Sequence, residues 1–488
     1  MLLTKTTSAA VLAALALSAC GSMAPPYQRP AAPVPASYRA LGAQVQAPEE
    51  TRAAPQIPWQ EYFYDPRLRE LVALALEHNR DLRVAALNIE RAQAQYGIAR
   101  AEQFPTAAAG VNASRSPNPP GAPSRYSNSF TAGLQVNAWE LDFFGRIASL
   151  KDAALAQYLA SEEAHRAAQT SLVAAVASAW YALLADEQLL KISRDTLETR
   201  EETVALMYLR LQNGTASDWD YQLTVSLWES ARATLAAQGR QRKLDENALV
   251  LLLGQGLPES ITASLDGHSL HETPDMPALP AGLPSDLLAQ RPDIRQAEQQ
   301  LVAANANIGA ARAAFFPRIA LTGQVGSASG QLSNLFHSGT WGYTLAPSAL
   351  LPIFDAGRNR ANLQIAQVQR DILLAQYEQA IQSAFREVSD ALDSQGSLRE
   401  QIDAQRAQLQ AERERLRLSD LRYQSGVASY LDLLDAQRSL FALEQSTVGV
   451  RLAQLLNQIQ LYKALGGGWM AAEAGSAVAA AEASSSAD

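Results

Sequence analysis

The amino-acid sequence predicts a mainly α protein with a small β part: a tandem duplicated unit of long antiparallel coiled-coil helices plus β-hairpins. Three observations predict it. First, "LRLQNGTASDWDYQL" (209–223) is echoed by "LRYQSGVASYLDLLDAQ" (421–437), and each copy sets a glycine, Gly214 or Gly426, inside what otherwise reads as helix. A helix-interior glycine costs about 1 kcal/mol against alanine, so two of them, 212 positions apart, mark a built-in reversal. Second, 146–212 and 358–424 contain no proline, and in the first of them small or apolar positions (150, 154, 158, 165, 168, 172) step close to a coiled-coil spacing. His165 interrupts that series. Third, "SNSFTAGLQVNAW" alternates. Phe130, Ala132, Leu134, Val136 and Ala138 fall on one face of a strand, with Ser129, Thr131, Gly133, Gln135 and Asn137 on the other.

Each element is therefore read once per half. The same offset pairs Asp81 with Asp293, Arg83 with Arg295, Gly97 with Gly309, Gly145-Arg146 with Gly357-Arg358, and Gly254 with Gly466. The first repeat is placed at 59–254 and the second at 291–468. Each opens with an alanine- and glutamine-rich helix, about 80–103 and 292–315, ended by Phe-Pro because the residue before proline is pushed out of the helical region. Strands follow at about 105–115 and 128–140, then at about 317–328 and 340–353, around turn-rich loops. The long helices come next, then tips at about 212–217 and 424–429, then shorter helices to Gly254 and Gly466. A helix over 146–212 is roughly 100 Å long, and the post-tip and pre-strand helices together span roughly 90 Å, so two short helices stacked end to end match one long one. Outside the repeats, 20–58 reads as an extended tether, 255–290 as a proline-rich linker, and 469–488 as a disordered tail.

Hydrophobic residues make up 48% of the 488, but many are alanine and mean hydropathy is only -0.12. No run of about 20 apolar residues follows the N-terminus, so no transmembrane helix is expected. The balance of 40 basic against 49 acidic residues, net -9, argues against nucleic acid as a partner. Five histidines are scattered, and only His268 and His271 are close, with no cysteine near them. No Gly-rich phosphate loop or nucleophile elbow occurs. The sequence predicts no enzyme, no metal site and no cofactor other than lipid.

Lys5 and the apolar stretch from Ala9 to Leu17 read as a signal peptide over 1–19. It ends in "LSAC", where Cys20 is the only cysteine, so no disulfide can form within the chain. Leu-Ser-Ala-Cys resembles the lipobox of bacterial lipoproteins. That resemblance implies a covalent diacylglycerol and an N-terminal fatty acyl group such as palmitate on Cys20; the alternative is a buried cysteine behind an ordinary signal. Ser22 stands where an aspartate often retains such lipoproteins at the inner membrane.

Four strands with one apolar and one polar face leave sheet edges that a membrane forbids. Membrane barrels need at least eight strands. Two chains would supply eight, with the interior filled by side chains, and three would supply twelve, with room for a lumen. A soluble hairpin packed on the helices is the alternative. The duplication, Phe-Pro before each hairpin, Gly-Arg after it, the glycine tips, "YQRP" (27–30) and "GLPSDLLAQRPDI" (282–294) together resemble the outer-membrane factor (TolC-type) family. Within it they are similar to the lipoprotein (OprM-like) branch of resistance–nodulation–division multidrug efflux systems. The resemblance covers about 20–468. It implies a homotrimer forming a twelve-stranded outer-membrane β-barrel continuous with a periplasmic α-barrel. Its implied partners are a periplasmic adaptor (membrane fusion) protein, an inner-membrane resistance–nodulation–division transporter and outer-membrane lipid. Drugs and other toxic small compounds would pass through passively. Type I protein secretion, or a non-conducting structural coiled-coil lipoprotein, are the alternatives.

Asp432 and Asp435, at i and i+3, share a helix face, and in a trimer would form two stacked carboxylate rings that favour cations. The resemblance implies that they narrow the periplasmic gate and that Asp220 and Tyr423 make a contact holding it closed. It also implies that Gly214, Thr215, Gly426, Val427 and Ala428 form the small-residue surface met by the adaptor. Ala428 replaces an arginine found in some relatives, so the latch must be weaker or differently made. As simpler readings, the two aspartates are solvated early-helix acids favoured by the helix dipole, and the glycines serve turn geometry alone. "ERERLR" (412–417) reads as a solvated helix face.

Overall fold

Helix forms where alanine, leucine and glutamine dominate, and it stops where glycine or proline intervenes. The computed structural model describes residues 22–35, 37–38, 52–265, 270, 273–279 and 286–469. The expected signal peptide (1–19), Cys20 as the expected lipid site, His268, His271 and residues 470–488 lie outside them. The main elements are α1 (Pro66–His78), α2 (Arg80–Ala101), β1 (Ala107–Pro117), β2 (Tyr126–Leu141), α3 (Arg146–Gln212) and α4 (Asp218–Leu253). The second half supplies α5 (Pro292–Ala313), β3 (Arg318–Ser329), β4 (Trp341–Leu350), α6 (Arg358–Gln424) and α7 (Tyr430–Ala464). Repeat partners match in length: α3 and α6 have 67 residues each, α2 and α5 have 22.

The chain divides into two units. One comprises the chain up to Ala31 with Leu87–Glu162 and Arg295–Gln379. It holds a four-stranded antiparallel sheet in the order β1-β2-β3-β4. The register lines up Ala109, Leu134, Val325 and Tyr343 across one face, and Ala108, Gln135, Gln324 and Thr344 across the other. Leu134, Val325, Trp341 and Tyr343 are exposed. The alternation expected in β2 fails at one point. A bulge between Val136 and Trp139, with Ala138 at φ 47°, returns Trp139 and Leu141 to the apolar face in place of Ala138. Counting by twos cannot register an inserted residue. β4 stops at Leu350, short of the expected 353, because Pro352 has no N–H to give a ladder.

In the same unit Glu140, nearly buried at the end of β2, receives Arg146 of α3 at 2.7 Å and Arg318 of β3 at 2.5 Å. One carboxylate thus clasps both halves of the repeat. The expected tether is extended but docked between Ser22 and Ala31. Asn305 Nδ2 donates to the Pro25 carbonyl at 2.6 Å, and the Arg29 guanidinium makes two bonds of 2.7 Å to Glu298. Extended proline-rich backbone has no internal hydrogen bonds, so α5 satisfies it instead. Gly309 permits the approach, since a Cβ there would lie 2.6 Å from the Ala24 nitrogen.

The other unit comprises Ala32–Ala86, Glu163–Ile294 and the chain from Ala380. Its core holds Trp180, Leu183 and Leu184 of α3 with Tyr62, Phe63 and Tyr462, the Tyr62 and Tyr462 rings stacked at 4.1 Å. An 18-residue stretch of α3 is apolar enough by composition to cross a membrane, which the sequence reading did not anticipate, and 56% of it is buried inside the fold. The linker is packed as well, with Leu265, Leu270, Met276 and Leu279 buried. Two joints in this unit share one design. Asn79 Nδ2 donates to the Leu252 carbonyl at 2.8 Å, and Arg291 Nη1 donates to the Ala464 carbonyl at 3.0 Å. Asn79 and Arg291 occupy the same repeat position, as do Leu252 and Ala464. Trp469, assigned above to the disordered tail, belongs to the second joint. It is buried and donates Nε1–H to the Gln290 carbonyl at 2.6 Å. An indole this apolar is held wherever its one donor finds a partner.

The joints predict opposite outcomes for two glycine-to-alanine changes. Gly466, at φ 78°, would bring a Cβ to 2.6 Å from the Gln290 carbonyl oxygen, whereas Gly449 of α7 is exposed with nothing within 4 Å. Gly466→Ala is expected to destabilise by about 1–3 kcal/mol. Gly449→Ala should stabilise by about 0.5–1 kcal/mol. Thermal unfolding of the purified protein in detergent checks both.

Candidate functional site

Each tip reverses a long helix within five residues, 213–217 and 425–429. Gly214 and Gly426 take the left-handed conformation at φ 68° and 70°. Thr215 and Val427 then donate their N–H groups to the carbonyls of Arg210 and Arg422, both at 2.9 Å, which closes the helix C-termini. The helices restart on serine. Ser217 Oγ accepts from the Asp220 N–H at 3.1 Å, and Ser429 Oγ from the Asp432 N–H at 3.3 Å. In return the Asp220 and Asp432 carboxylates accept the backbone N–H groups of Ser217 and Ser429 at 3.4 and 3.1 Å, completing capping boxes, and also take the serine hydroxyls at 2.6 and 2.9 Å. Asp220 and Asp432 are thus one residue of the repeat, doing the same structural work twice.

Asp435 lies one turn further along α7, exposed, and pairs with Arg415 of α6 at 2.5 Å. Arg415 also holds Glu412 at 3.1 Å. The 412–417 run is therefore a helix-to-helix tie rather than a solvated face alone. Within the single chain Asp220 and Tyr423 take different partners. Asp220 turns back to its own N-cap, while the Tyr423 hydroxyl accepts a hydrogen bond from Arg210 of α3. The Arg210 guanidinium lies 5.6 Å from the centre of the Tyr423 ring. That ring sits 5.3 Å from Tyr430, whose hydroxyl is 3.4 Å from Thr224 Oγ1 of α4. Burial pushes the Tyr430 phenol pKa up. Two polar contacts therefore tie the first tip's helices to the second's. Around them Gly214, Thr215, Gly426 and Val427 are exposed and Ala428 is half-buried. Trp219 is 77% exposed, so it is not helix core.

Sequence reasoning missed Arg210 and Arg415. Their partners lie on other helices, and no local pattern reports such a meeting. The capping boxes did carry a signal, Ser-x-x-Asp after each glycine.

Higher on the same unit, Asp186 of α3 meets Asp245 of α4. Burial pushes the Asp186 pKa up to about 7, helped by its hydrogen bond to Asp245 and by the charges of Asp245 and Glu187, against the pull of Arg242. Arg242 itself is held by Glu187 and Glu246.

Comparison with known proteins fits this geometry. The family described as "Outer membrane efflux protein" matches residues 71–255 and 283–467, two copies set apart by the same offset as the tips. The chain belongs to the outer membrane efflux protein family. It is 43% identical over 473 residues to the probable efflux pump outer membrane protein TtgC of Pseudomonas putida, covering 96% of each chain. It is 45% identical over 464 residues to outer membrane protein OprJ of Pseudomonas aeruginosa, covering 94% of this chain and 95% of that one. The open-state MtrE outer membrane channel of Neisseria gonorrhoeae superposes with a TM-score of 0.82 at 40% identity, covering 92% of this chain and 99% of that chain. The protein is an efflux channel component of the outer membrane, in a family of channels.

Two predictions arise from this geometry. Tyr423→Phe keeps the ring against Tyr430 but removes the acceptor for Arg210. It and Arg210→Ala should each speed amide exchange around 421–428, with a non-additive coupling of about 0.5–1.5 kcal/mol in the double mutant. Asp186 carries a raised pKa in the folded state, so its protonated form contributes stability that is fully present below about pH 4 and is lost as pH rises through about 7. The melting temperature should fall between pH 5 and 8, and Asp186→Asn should flatten that fall.

Proposed function

We propose that three copies of the chain close their sheets into a twelve-stranded barrel, continuous with a periplasmic α-barrel, and that the tips form the periplasmic entrance. The observation that carries this reading is the sheet itself. Its apolar row (Ala109, Leu134, Val325, Tyr343) stands exposed on one face, its glutamines line the other, and β1 and β4 are edge strands. In hydrocarbon an unpaired edge costs several kcal/mol per backbone group, and further copies remove it by pairing β1 of one with β4 of the next.

At the entrance, Asp432 and Asp435 of three chains form two carboxylate rings. The capping box fixes the direction of Asp432. The exposed Arg415–Asp435 pair is worth only about 0.2–1 kcal/mol, so a divalent cation held by three carboxylates can displace it. Arg210 and Tyr423 supply the latch that Ala428 cannot. A periplasmic adaptor meets Gly214, Thr215, Gly426, Val427 and Ala428, where a Cβ on either glycine would encounter nothing within 4 Å. Energy comes from an inner-membrane resistance–nodulation–division transporter, and a lipid on Cys20 anchors the mature N-terminus. The relatives' names speak of antibiotic, toluene and solvent efflux, which favours small apolar compounds and drugs as cargo over secreted proteins.

Single-channel conductance in planar bilayers tests the gate. Wild type is expected to conduct weakly and to be blocked by a divalent cation, while Asp432→Ala with Asp435→Ala conducts more and loses the block. Channels unchanged by the double substitution remove the acidic gate and leave the duct. Correctly folded protein that makes no channel in either form removes the duct.

A further inference from the structure

Arg200 of α3 is 9% exposed, and among the described residues no hydrogen bond or ion pair engages its guanidinium. Burial pushes its pKa down from the usual arginine value, against an opposing influence from Tyr430 and with a smaller downward push from the charge of Arg438. A cation this enclosed, with no counter-charge of its own, gains from an anionic partner. Among the described residues, none of the charged groups around it pairs with it. Arg413 is paired with Glu444 at 3.2 Å and Arg406 with Asp403 at 3.8 Å. Asp195, on the same wall, is exposed and makes no ion pair with Arg200. Asp435, on the other side, is taken by Arg415.

Arg200 looks into a cavity of about 760 Å³ between α3, α6 and α7, with an apolar side formed by Leu409, Leu416, Leu440 and Phe441 and a polar side that includes Arg413 with its partner Glu444. That volume lies within the range of small-molecule sites, roughly 300–1,000 Å³, which are mostly apolar with a few placed polar groups. We propose that this cavity binds a small amphipathic organic anion, its carboxylate or sulfonate bonded to Arg200 and its apolar body against Leu409, Leu416, Leu440 and Phe441. A planar guanidinium suits a two-oxygen anion, because two parallel N–H···O bonds fix orientation as well as charge. A neutral compound of the same shape leaves Arg200 unpaired and gains nothing from it. The site lies about 20 Å along α3 from Gly214, and it does not depend on whether the tips form an entrance.

The test uses the full-length protein in lipid nanodiscs with two fluorescent probes of similar shape, against empty nanodiscs. These are anionic 1-anilinonaphthalene-8-sulfonate and uncharged N-phenyl-1-naphthylamine. Wild type should bind the sulfonate saturably. Arg200→Gln should weaken that binding at least tenfold while leaving the amine unchanged, and Arg200→Lys should recover part of it. Leu440→Trp, which keeps the charge and fills the cavity, should exclude the sulfonate too. Equal sulfonate affinity in wild type and Arg200→Gln overturns the proposal, as does equal weakening of both probes. Absence of saturable sulfonate binding to wild type overturns it too, whatever the melting temperature of Arg200→Gln.

Discussion

The buried joint between helix ends is the constraint on which the rest of this protein depends. A helix terminus leaves about four backbone groups without partners, and a buried unpaired group costs about 1–3 kcal/mol. The chain must bury such ends twice, because α3 and α6 are each longer than any segment that returns beside them. Both times the solution has two parts. A side chain from one segment caps the last carbonyls of another, Asn79 on Leu252 and Arg291 on Ala464. A left-handed glycine, Gly254 or Gly466, then lets the two backbones touch. The second joint uses a cation, which the helix C-terminus favours. Arg291 therefore also needs Asp293 at 2.6 Å and Glu387 at 2.8 Å, since a buried guanidinium with a single partner would be poorly compensated. Duplication preserved the position of the joint and changed its chemistry.

The tips obey a related rule at the other ends of the long helices. Left-handed glycine ends one helix and Ser-x-x-Asp starts the next, so Asp220 and Asp432 are fixed before any gating role is considered. This limits what the aspartates can do. Asp432 is structural and exposed together, so its removal loosens the start of α7 as well as removing charge. Asp435 has no cap to serve and spends its charge on Arg415, which makes it the more adjustable of the two.

The sequence disclosed the repeat, the two long helices, the strands and the reversals because each has a local signature: an offset, a missing proline, a period of two, a glycine. The bulge at Ala138 was hidden because alternation alone does not locate an inserted residue. The docking of 22–31 was hidden because its partners, Glu298 and Asn305, lie some 270 positions away on α5. Arg210 with Tyr423 and Arg415 with Asp435 were hidden for the same reason. The pattern places a residue on its own helix, while these contacts are decided by which helix stands opposite. Trp469 was set at the start of the tail because its partner, Gln290, lies 179 positions away, yet its indole N–H belongs to the second joint.

The sheet carries the argument to assembly. A row of leucine, valine and tyrosine exposed to water would invite aggregation, and open strand edges would compound the hazard. No residue in the apolar row carries a charge that would blunt it. The same surface in a bilayer is no liability, since lipid covers the apolar face and copies of the chain cover the edges. Glu140 then matters beyond its own ion pairs. By joining Arg146 and Arg318 it fixes the base of β2 and β3, the central pair, so that the register presented at the outer edges is set before a second chain arrives. An assembly of identical chains needs that, because an edge whose register can slip by one residue turns every apolar side chain toward the lumen.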